Sequence, residues 1–544
     1  MPPSLTPIES RPSQTKIVVT IGPASSSEEK LVELLQAGAD VFRLNMAHGG
    51  PKEQEARLAA IRAASETVGR PVAVLADLAG PKIRLGEIPG GQLACNTGDR
   101  LRFMRLLPPL PSGDARGKGA RRVDGTNRGE PDPRELTTTY EPLLDELAVG
   151  DRVMLADGTV SLVVEAVDPD YAQCRVVQPG VIRSRQGVNL PGVKLSVEAL
   201  SDTDRENAVW AARQGIDFVG LSFVRKADDV RQLKSLLANA EKGTGPICRN
   251  GPPGASHKLD LSPFPQVIAK IEKPEALEHL EEIVSAADGV MVARGDLGVE
   301  IDIARVAMAQ KEIIAACNRL RKPVIVATQM LDSMTHSRIP TRAEVADVSN
   351  AILDGADACM LSGETAIGEY PRETVEMMHR IALETEAGKT GTGSELGWCK
   401  RYATASGSVP VPVFPVGSRP SSGLNPITES TVSAAGRIAD ELNAKAVVVA
   451  TASGATALSM AKNRHFVPTL GVSDSPATLR RMCLYWGVIP LAGAPTSDPA
   501  ALLRHVTDLG RAAGLLHPGD RIVLIAGTGL AVTRHNMIVV HELG

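Results

Sequence analysis

The stretch Pro323–Glu364, PVIVATQMLDSMTHSRIPTRAEVADVSNAILDGADACMLSGE, carries the fold in miniature. An apolar, β-branched run over Pro323–Gln329 gives way to a helical pattern over Arg342–Leu353, and a second short apolar run follows over Ala356–Glu364. Short apolar runs separated by an amphipathic helix read as parallel strands joined by a helical crossover. The same rhythm extends back to Thr15, with strands expected at Thr15–Gly22, Ala39–Met46, Pro71–Ala79, Asp217–Val224, Gln266–Glu272 and Asp288–Arg294. Helical patterns lie between them at Glu28–Ala37, Gln54–Val68, Asp202–Gln214, Pro274–Ala287 and Ala304–Leu320, and a last one covers Pro371–Glu386. Eight such strands with their helices close into a (β/α)8 TIM barrel of about 250 residues, packed inside by Val, Ile and Leu. The expected fold class is therefore α/β.

Two stretches interrupt the count. Gly86–Asn189 holds alternating segments at Arg152–Leu155 and Thr159–Val167, turn signals at Asp157-Gly158 and Asp168-Pro169, and no good helix. It reads as a small β domain inserted after the third strand. Within it, residues 108–133 are rich in Gly, Pro, Arg and Asp and read as a loop, and residues 243–265 form a second Gly/Pro-rich insert. After Ala387 a Gly-, Ser-, Thr- and Pro-rich run buries too little apolar surface to order itself. A helix at Thr428–Leu442 and strands at Ala446–Thr451, Pro468–Val472, Val488–Leu491 and Arg521–Ala526 then make a separate α/β domain. The expected division is 1–14 as an N-terminal extension, 15–85 with 190–388 as the split barrel, 86–189 as the inserted β lid, 389–426 as a flexible linker and 427–544 as the C-terminal domain.

Composition narrows the function classes. At 544 residues the chain exceeds one hydrophobic core. Hydrophobic residues at 43% and charged residues at 22% are ordinary for globular folds. A net charge of -4 gives no electrostatic reason to expect nucleic acid. The seven cysteines include no C-x-x-C pair, so neither a disulfide framework nor a structural zinc site is indicated. No run of about 18 apolar residues suggests a membrane span, and the first residues, MPPSLTPIESRPSQ, lack an apolar core of the signal-peptide kind. A soluble, cytoplasmic protein is expected.

A TIM barrel places its chemistry at the C-terminal ends of the strands. There this chain has Arg43, Asn45 and His48 after strand two, Asp77 after three, Lys270 and Glu272 after five, and Arg294-Gly295-Asp296 after six. Thr328-Gln329 ends strand seven and Ser362-Gly363-Glu364 ends strand eight. Glu272 and Asp296 end adjacent strands and can converge on a hard divalent cation such as Mg2+; the alternative is an internal Lys–Glu ion pair. Lys270 lies two residues before Glu272, so both leave the strand on one face, where a lysine can neutralise a phosphoryl or enolate oxygen. Arg43 offers a planar fork for phosphate, against an ordinary rim salt bridge. Thr328 is either a ligand contact or a hydroxyl bonded to its own backbone. His48 is expected to be a loop contact rather than a general base.

The segments TKIVVTIGPAS, DVFRLNMAHG, DLAGPKIRLG, GVNLPG, VIAKIEKPEAL, MVARGDLGVE, PVIVATQMLDSM and TRAEVADVSNAILDGADACMLSGETAIGEYP occur in this order. They closely resemble the motifs of the pyruvate kinase family, over nearly the whole chain outside the three inserts. The resemblance implies a kinase of glycolysis with a TIM barrel, a β lid and an allosteric α/β domain, acting on phosphoenolpyruvate, ADP/ATP and pyruvate. It implies that Arg43 and Lys270 contact the transferred phosphoryl and that Glu272 and Asp296 hold Mg2+ (or Mn2+). Gly295, Asp296 and Thr328 would seat the pyruvate carboxylate, and Thr328 and Ser362 would belong to the proton-delivery network. Asn45, His48, Arg84 and the lid residue Asp157 would face the nucleotide. Family members are usually homotetramers.

The sequence also departs from the family pattern. Many members bind K+ through Asn, Ser and Asp side chains; here Asn45 and Asp77 remain, but the serine position is Ala47 and the acidic residue before the Ile-Arg pair is Lys82. A lysine there substitutes for the cation, so K+ is not expected to be required. Gln186 stands where a lysine is usual. In the C-terminal domain, Thr451, Ser453, Gly454 and Thr456 lie between a strand and a helix and suit the phosphate of a phosphorylated effector, with Ser453 as a plain helix N-cap the alternative. Gly527–Asn536 is short and holds Arg534 as its one arginine, leaving no second basic cluster. Two rival readings keep the fold: a Mg-dependent aldolase or mutase of the phosphoenolpyruvate/pyruvate-barrel type, and an inactive regulatory homologue.

Overall fold

The computed structural model describes residues 13–105, 134–242, 265–387, 425–526 and 536–544, apart from 157, 194, 197, 497 and 513. Asp157, Arg534, the insert at 108–133, nearly all of 243–265 and 389–426, and the extension before Ser13 lie outside these residues.

Eight parallel strands form a closed barrel, neighbour to neighbour in chain order: Lys16–Thr20, Val41–Asn45, Ala73–Asp77, Phe218–Leu221, Gln266–Ile271, Gly289–Ala293, Val324–Ala327 and Ala358–Leu361. Each falls inside its expected window and ends one to three residues sooner. Polar residues are among those trimmed at the C-terminal ends: Arg294 opens the helix Arg294–Glu300, and Gly363 opens the single turn Gly363–Ala366. The helix expected over Pro274–Ala287 is broken at His279 into Pro274–Glu278 and Leu280–Ala286.

The closed end of the barrel carries a regular device. An aspartate stands just before each even-numbered strand, and its carboxylate accepts an N–H from the first or second residue of the preceding odd strand. Asp40 accepts from Ile17, Asp217 from Val74, Asp288 from Val267 and Asp357 from Val324. These bonds satisfy strand-start donors that burial would otherwise orphan. Two of the aspartates also tie the barrel to the C-terminal domain. Asp357 pairs with Lys462 and Arg464, and Asp217 with Arg480 as well as the barrel's own Arg62. Between them, Val18, Phe218, Ile325 and Met360 from the barrel share a buried cluster with Met482, Leu484, Tyr485 and Trp486.

Between barrel strands three and four, a six-stranded sheet runs in the order Val188–Asn189, Arg152–Leu155, Val160–Val167, Tyr171–Gln178, Arg100–Met104, Glu135–Leu136, beside the pair Gln92–Cys95 and Gly180–Arg183. Alternation positions its core: Val160, Leu162 and Val164 are fully buried on one face. One helical turn, Leu143–Glu146, corrects the expectation of no helix here. The C-terminal sheet has the order Val488–Leu491, Thr469–Val472, Ala446–Ala450, Arg521–Ala526, Met537–Glu542. Its last strand, antiparallel to its neighbour, is absent from the sequence reading.

Candidate active site

Lys270 is the hub of the mouth. Its side chain leaves the end of strand five, and Nζ donates to Ser222 Oγ at 2.7 Å. It also lies 2.9 Å from Glu272 Oε1 and 3.2 Å from Asp77 Oδ1. Both contacts are ion pairs between buried groups. Burial acts to lower the Lys270 pKa, but Asp77 and Glu272 overcome it and raise it above the ordinary lysine value. The lysine is a fixed cation. Asp77 is held below the usual carboxylate range: burial opposes this, and Lys270 and Arg43 prevail. Arg43 Nε and Nη2 both reach Asp77 Oδ2 at 2.7 Å, and Nη1 donates to Thr20 Oγ1.

Glu272 is fully buried, and its Oε2 accepts the Phe223 N–H at 2.8 Å. Its pKa is raised, first by burial and then by the neighbouring charge of Asp296, against the pull of Lys270. Two carboxylates that repel one another at the ends of adjacent strands fit a divalent cation held by both. Among the described residues no group of three or more His, Cys, Asp and Glu could hold a metal. Two carboxylates are a donor set of the kind Mg2+ uses, its shell completed by water and substrate oxygens.

Strand seven ends in a strained turn. Thr328 and Gln329 both have positive φ, 68° and 54°, unfavourable for any side chain and most for a β-branched one. Arg294 clamps it: Nη2 donates to the Thr328 and Gln329 carbonyls at 2.9 and 3.1 Å, while Nη1 pairs with Asp347 at 2.6 Å. The turn delivers Thr328 Oγ1 to the Gly295 N–H at 2.7 Å, and the hydroxyl donates to Ala327 O at 2.6 Å. The structure shows the second alternative for Thr328, a hydroxyl bonded to backbone on both sides. Ser362 Oγ is buried without a hydrogen-bond partner in the described structure, while its N–H donates to Glu364 at 2.6 Å. Burial raises the Glu364 pKa.

Asn45 pairs in register with Asp77, and its Oδ1 accepts from the Ala47 N–H. His48 is exposed. Arg84 lies where the inserted sheet joins the barrel, donating to Arg185 O and bridging to Gly187. Lys82 Nζ approaches Asp296 Oδ1 at 3.9 Å, and its stem packs where a Cβ on Gly187 would sit, 2.8 Å from Lys82 Cε. The roles of Arg294 and Phe223 escaped the sequence reading, because the groups they hold come from other strands.

The pyruvate kinase barrel-domain family model matches residues 12–248 and 262–375, and the pyruvate kinase alpha/beta-domain model matches 429–541. The chain belongs to the pyruvate kinase family. A pyruvate kinase from Geobacillus stearothermophilus is 38% identical over 533 residues, covering 97% of this chain and 80% of that protein. One from Corynebacterium glutamicum is 38% identical over 534 residues, with 98% of each chain covered. A solved pyruvate kinase from Cryptosporidium parvum superposes with a TM-score of 0.79 at 28% identity, covering 98% of this chain and 96% of the other. As a pyruvate kinase the enzyme is a phosphotransferase of glycolysis, acting between phosphoenolpyruvate and ADP. Among the described residues no helix is long and apolar enough to cross a membrane.

The loop proposed for an effector is partly self-satisfied. Thr451 Oγ1 accepts from Gly454 N and Ser453 Oγ from Ala455 N. Gly454, with φ of 86°, occupies the N-cap of the helix Ala455–Lys462, so Ser453 is not the cap residue. Thr456 is buried in the first turn.

Proposed function

We propose that Lys270 and Arg43 bind the phosphoryl group that moves from phosphoenolpyruvate to ADP, and that Lys270 also stabilises the enolate left behind. The observation that supports this most is the buried Lys270 ammonium, fixed by Ser222, Asp77 and Glu272 at the mouth of the barrel. A fixed cation in a dry site stabilises developing charge without reorganising. Glu272 and Asp296 hold Mg2+ (or Mn2+), which supplies positive charge to the phosphoryl and enolate oxygens. The Gly295 and Asp296 amides with Thr328 seat the carboxylate of pyruvate. Thr328 and Ser362 belong to the path by which a proton reaches the enolate. Asn45, His48 and Arg84 face the nucleotide.

Lys82 replaces the monovalent cation. Its ammonium stands at the mouth beside Asp296, and Ala47 supplies no side-chain oxygen beside Asn45 and Asp77. The expected result is full activity in K+-free buffer with tetramethylammonium at equal ionic strength. Activation by K+ above about tenfold, roughly 1.4 kcal/mol, contradicts it. Lys82→Glu restores K+ dependence only in part, because Ala47 still lacks the oxygen.

The C-terminal loop takes one phosphate, so a sugar or nucleoside monophosphate is preferred over a bisphosphate. Thr451, Ser453 and Thr456 carry hydroxyls there, and Gly454 brings the backbone close at a helix start. Glucose 6-phosphate, ribose 5-phosphate, AMP and fructose 1,6-bisphosphate are titrated at subsaturating phosphoenolpyruvate. A monophosphate activates most strongly, and Ser453→Asp abolishes that response by charge repulsion; strongest activation by the bisphosphate contradicts the reading. The enzyme acts in the cytoplasm as a homotetramer, and the exposed apolar side chains of Ile303, Met308, Ile339 and Ile367 on the barrel support subunit contacts.

A further inference from the structure

Phe223 follows barrel strand four in a backbone conformation that its side chain disfavours, with φ of 54°. Glycine is the default residue for such a turn, so a phenylalanine there is kept by what its ring and its N–H do. The N–H donates to Glu272 Oε2 at 2.8 Å, while Oε1 pairs with Lys270 at 2.9 Å. The preceding residue, Ser222, accepts from Lys270 and donates to Leu78 O. One two-residue turn therefore aims a group at each of the two site residues from strand five.

The ring has neighbours of its own, separate from the bond its N–H makes to Glu272. Gly80, itself at positive φ, leaves the room it needs: a Cβ there would sit 2.7 Å from the ring's Cδ2. Lys273 Nζ lies 5.7 Å from the ring centroid, within cation–π range. The ring also lines a small cavity shared with Pro81, Ile83, Val188, Leu190 and Val193, the two chain segments that join the inserted sheet to the barrel. Lys273 in turn pairs with buried Glu300 at 2.7 Å, and Glu300 accepts from Asn189 of one of those segments.

We propose that Phe223 is the positioning residue for the metal carboxylate Glu272: its ring, seated in the joint between barrel and inserted sheet, holds the left-handed turn whose N–H fixes the orientation of Glu272. This rests on Glu272 being a metal ligand. Residues outside the ligand set that orient a metal ligand typically change metal affinity about 10–100-fold when removed. Phe223→Ala keeps the N–H but unseats the turn, so it weakens divalent-metal binding within that range. Phe223→Tyr keeps the ring and binds metal as the parent does. Gly80→Ala places a methyl against the ring and weakens binding in the same direction.

The test is direct Mn2+ titration of the full chain without substrates, by the paramagnetic signal of free Mn2+, together with the metal activation constant and kcat. Glu272→Ala is the reference variant. The proposal expects Phe223→Ala and Gly80→Ala to lose Mn2+ affinity and to raise the activation constant more than they lower kcat at saturating metal, with Phe223→Tyr unchanged. Wild-type Mn2+ affinity in either folded variant, with affinity lost in Glu272→Ala, overturns the role of Phe223. Unchanged affinity in Glu272→Ala overturns the metal reading on which it rests. If Phe223→Ala does not fold, Gly80→Ala decides by the same criteria.

Discussion

Lys270→Met lowers kcat about 10²–10³-fold or more while the barrel stays folded. The substitution keeps much of the side chain's length and apolar bulk but deletes the ammonium that Ser222, Asp77 and Glu272 surround. Asp77 retains both contacts from Arg43, and Glu272 retains the Phe223 N–H, so neither carboxylate loses every partner. Charge that develops on the enolate and the moving phosphoryl group then meets no fixed cation from strand five. The cost falls on the transition state, so kcat and kcat/KM drop together. Turnover and a thermal melt, measured on one preparation, separate lost chemistry from lost fold.

Asp357→Ala has the largest expected effect on stability, about 3–5 kcal/mol, by leaving buried cations without their carboxylate. Asp357 and Lys462 are each 1% exposed in their side chains, and Arg464 is the carboxylate's second partner. The Val324 N–H also loses its acceptor at the start of strand seven. The deficit depends on pH in a definite direction. Burial, opposed by Asp357, lowers the Lys462 pKa from 10.5 to about 8. A folded lysine with a depressed pKa releases its proton while an unfolded one keeps it, so between about pH 8 and 10.5 the unfolded state binds more protons and this group's contribution makes stability rise. Without Asp357 the folded pKa falls further, so the variant's Lys462 gives up its proton at lower pH than the parent's. Part of the gap between variant and parent therefore closes as pH rises from about 7 to 9. Chemical unfolding at the two pH values measures it; a gap that widens with pH contradicts the assignment of the ion pair.

The barrel was legible because its signal is local. Each strand is a short apolar run, and Lys270 and Glu272 share a face by the two-residue period of a strand. What the sequence obscured depends on partners distant in the chain. Arg294 looks like the start of a helix, and its grip on the Thr328 and Gln329 carbonyls exists only because strands six and seven are neighbours. Thr328, a β-branched residue in the left-handed region, goes against local preference, and such conflicts gather where surrounding structure imposes a geometry for function. The strand Tyr171–Gln178 was missed because its buried face is Ala172, Cys174 and Val176, small residues that give a weak alternation. The aspartates at 40, 217, 288 and 357 carried a visible signal, one at the head of every even strand, but the sequence reading left Asp217 and Asp288 at strand starts and Asp40 and Asp357 inside their strands.

The account is tested most directly by following phosphoenolpyruvate and ADP with Mg2+ in parent and Lys270→Met side by side, counting pyruvate and ATP. The parent should form the two products in equal amounts and only when ADP is present, and the variant should do so at no more than about a hundredth of that rate. Pyruvate formed without ADP, or a variant that keeps pace with its parent, would contradict the assignment of the chemistry to this lysine at the barrel mouth.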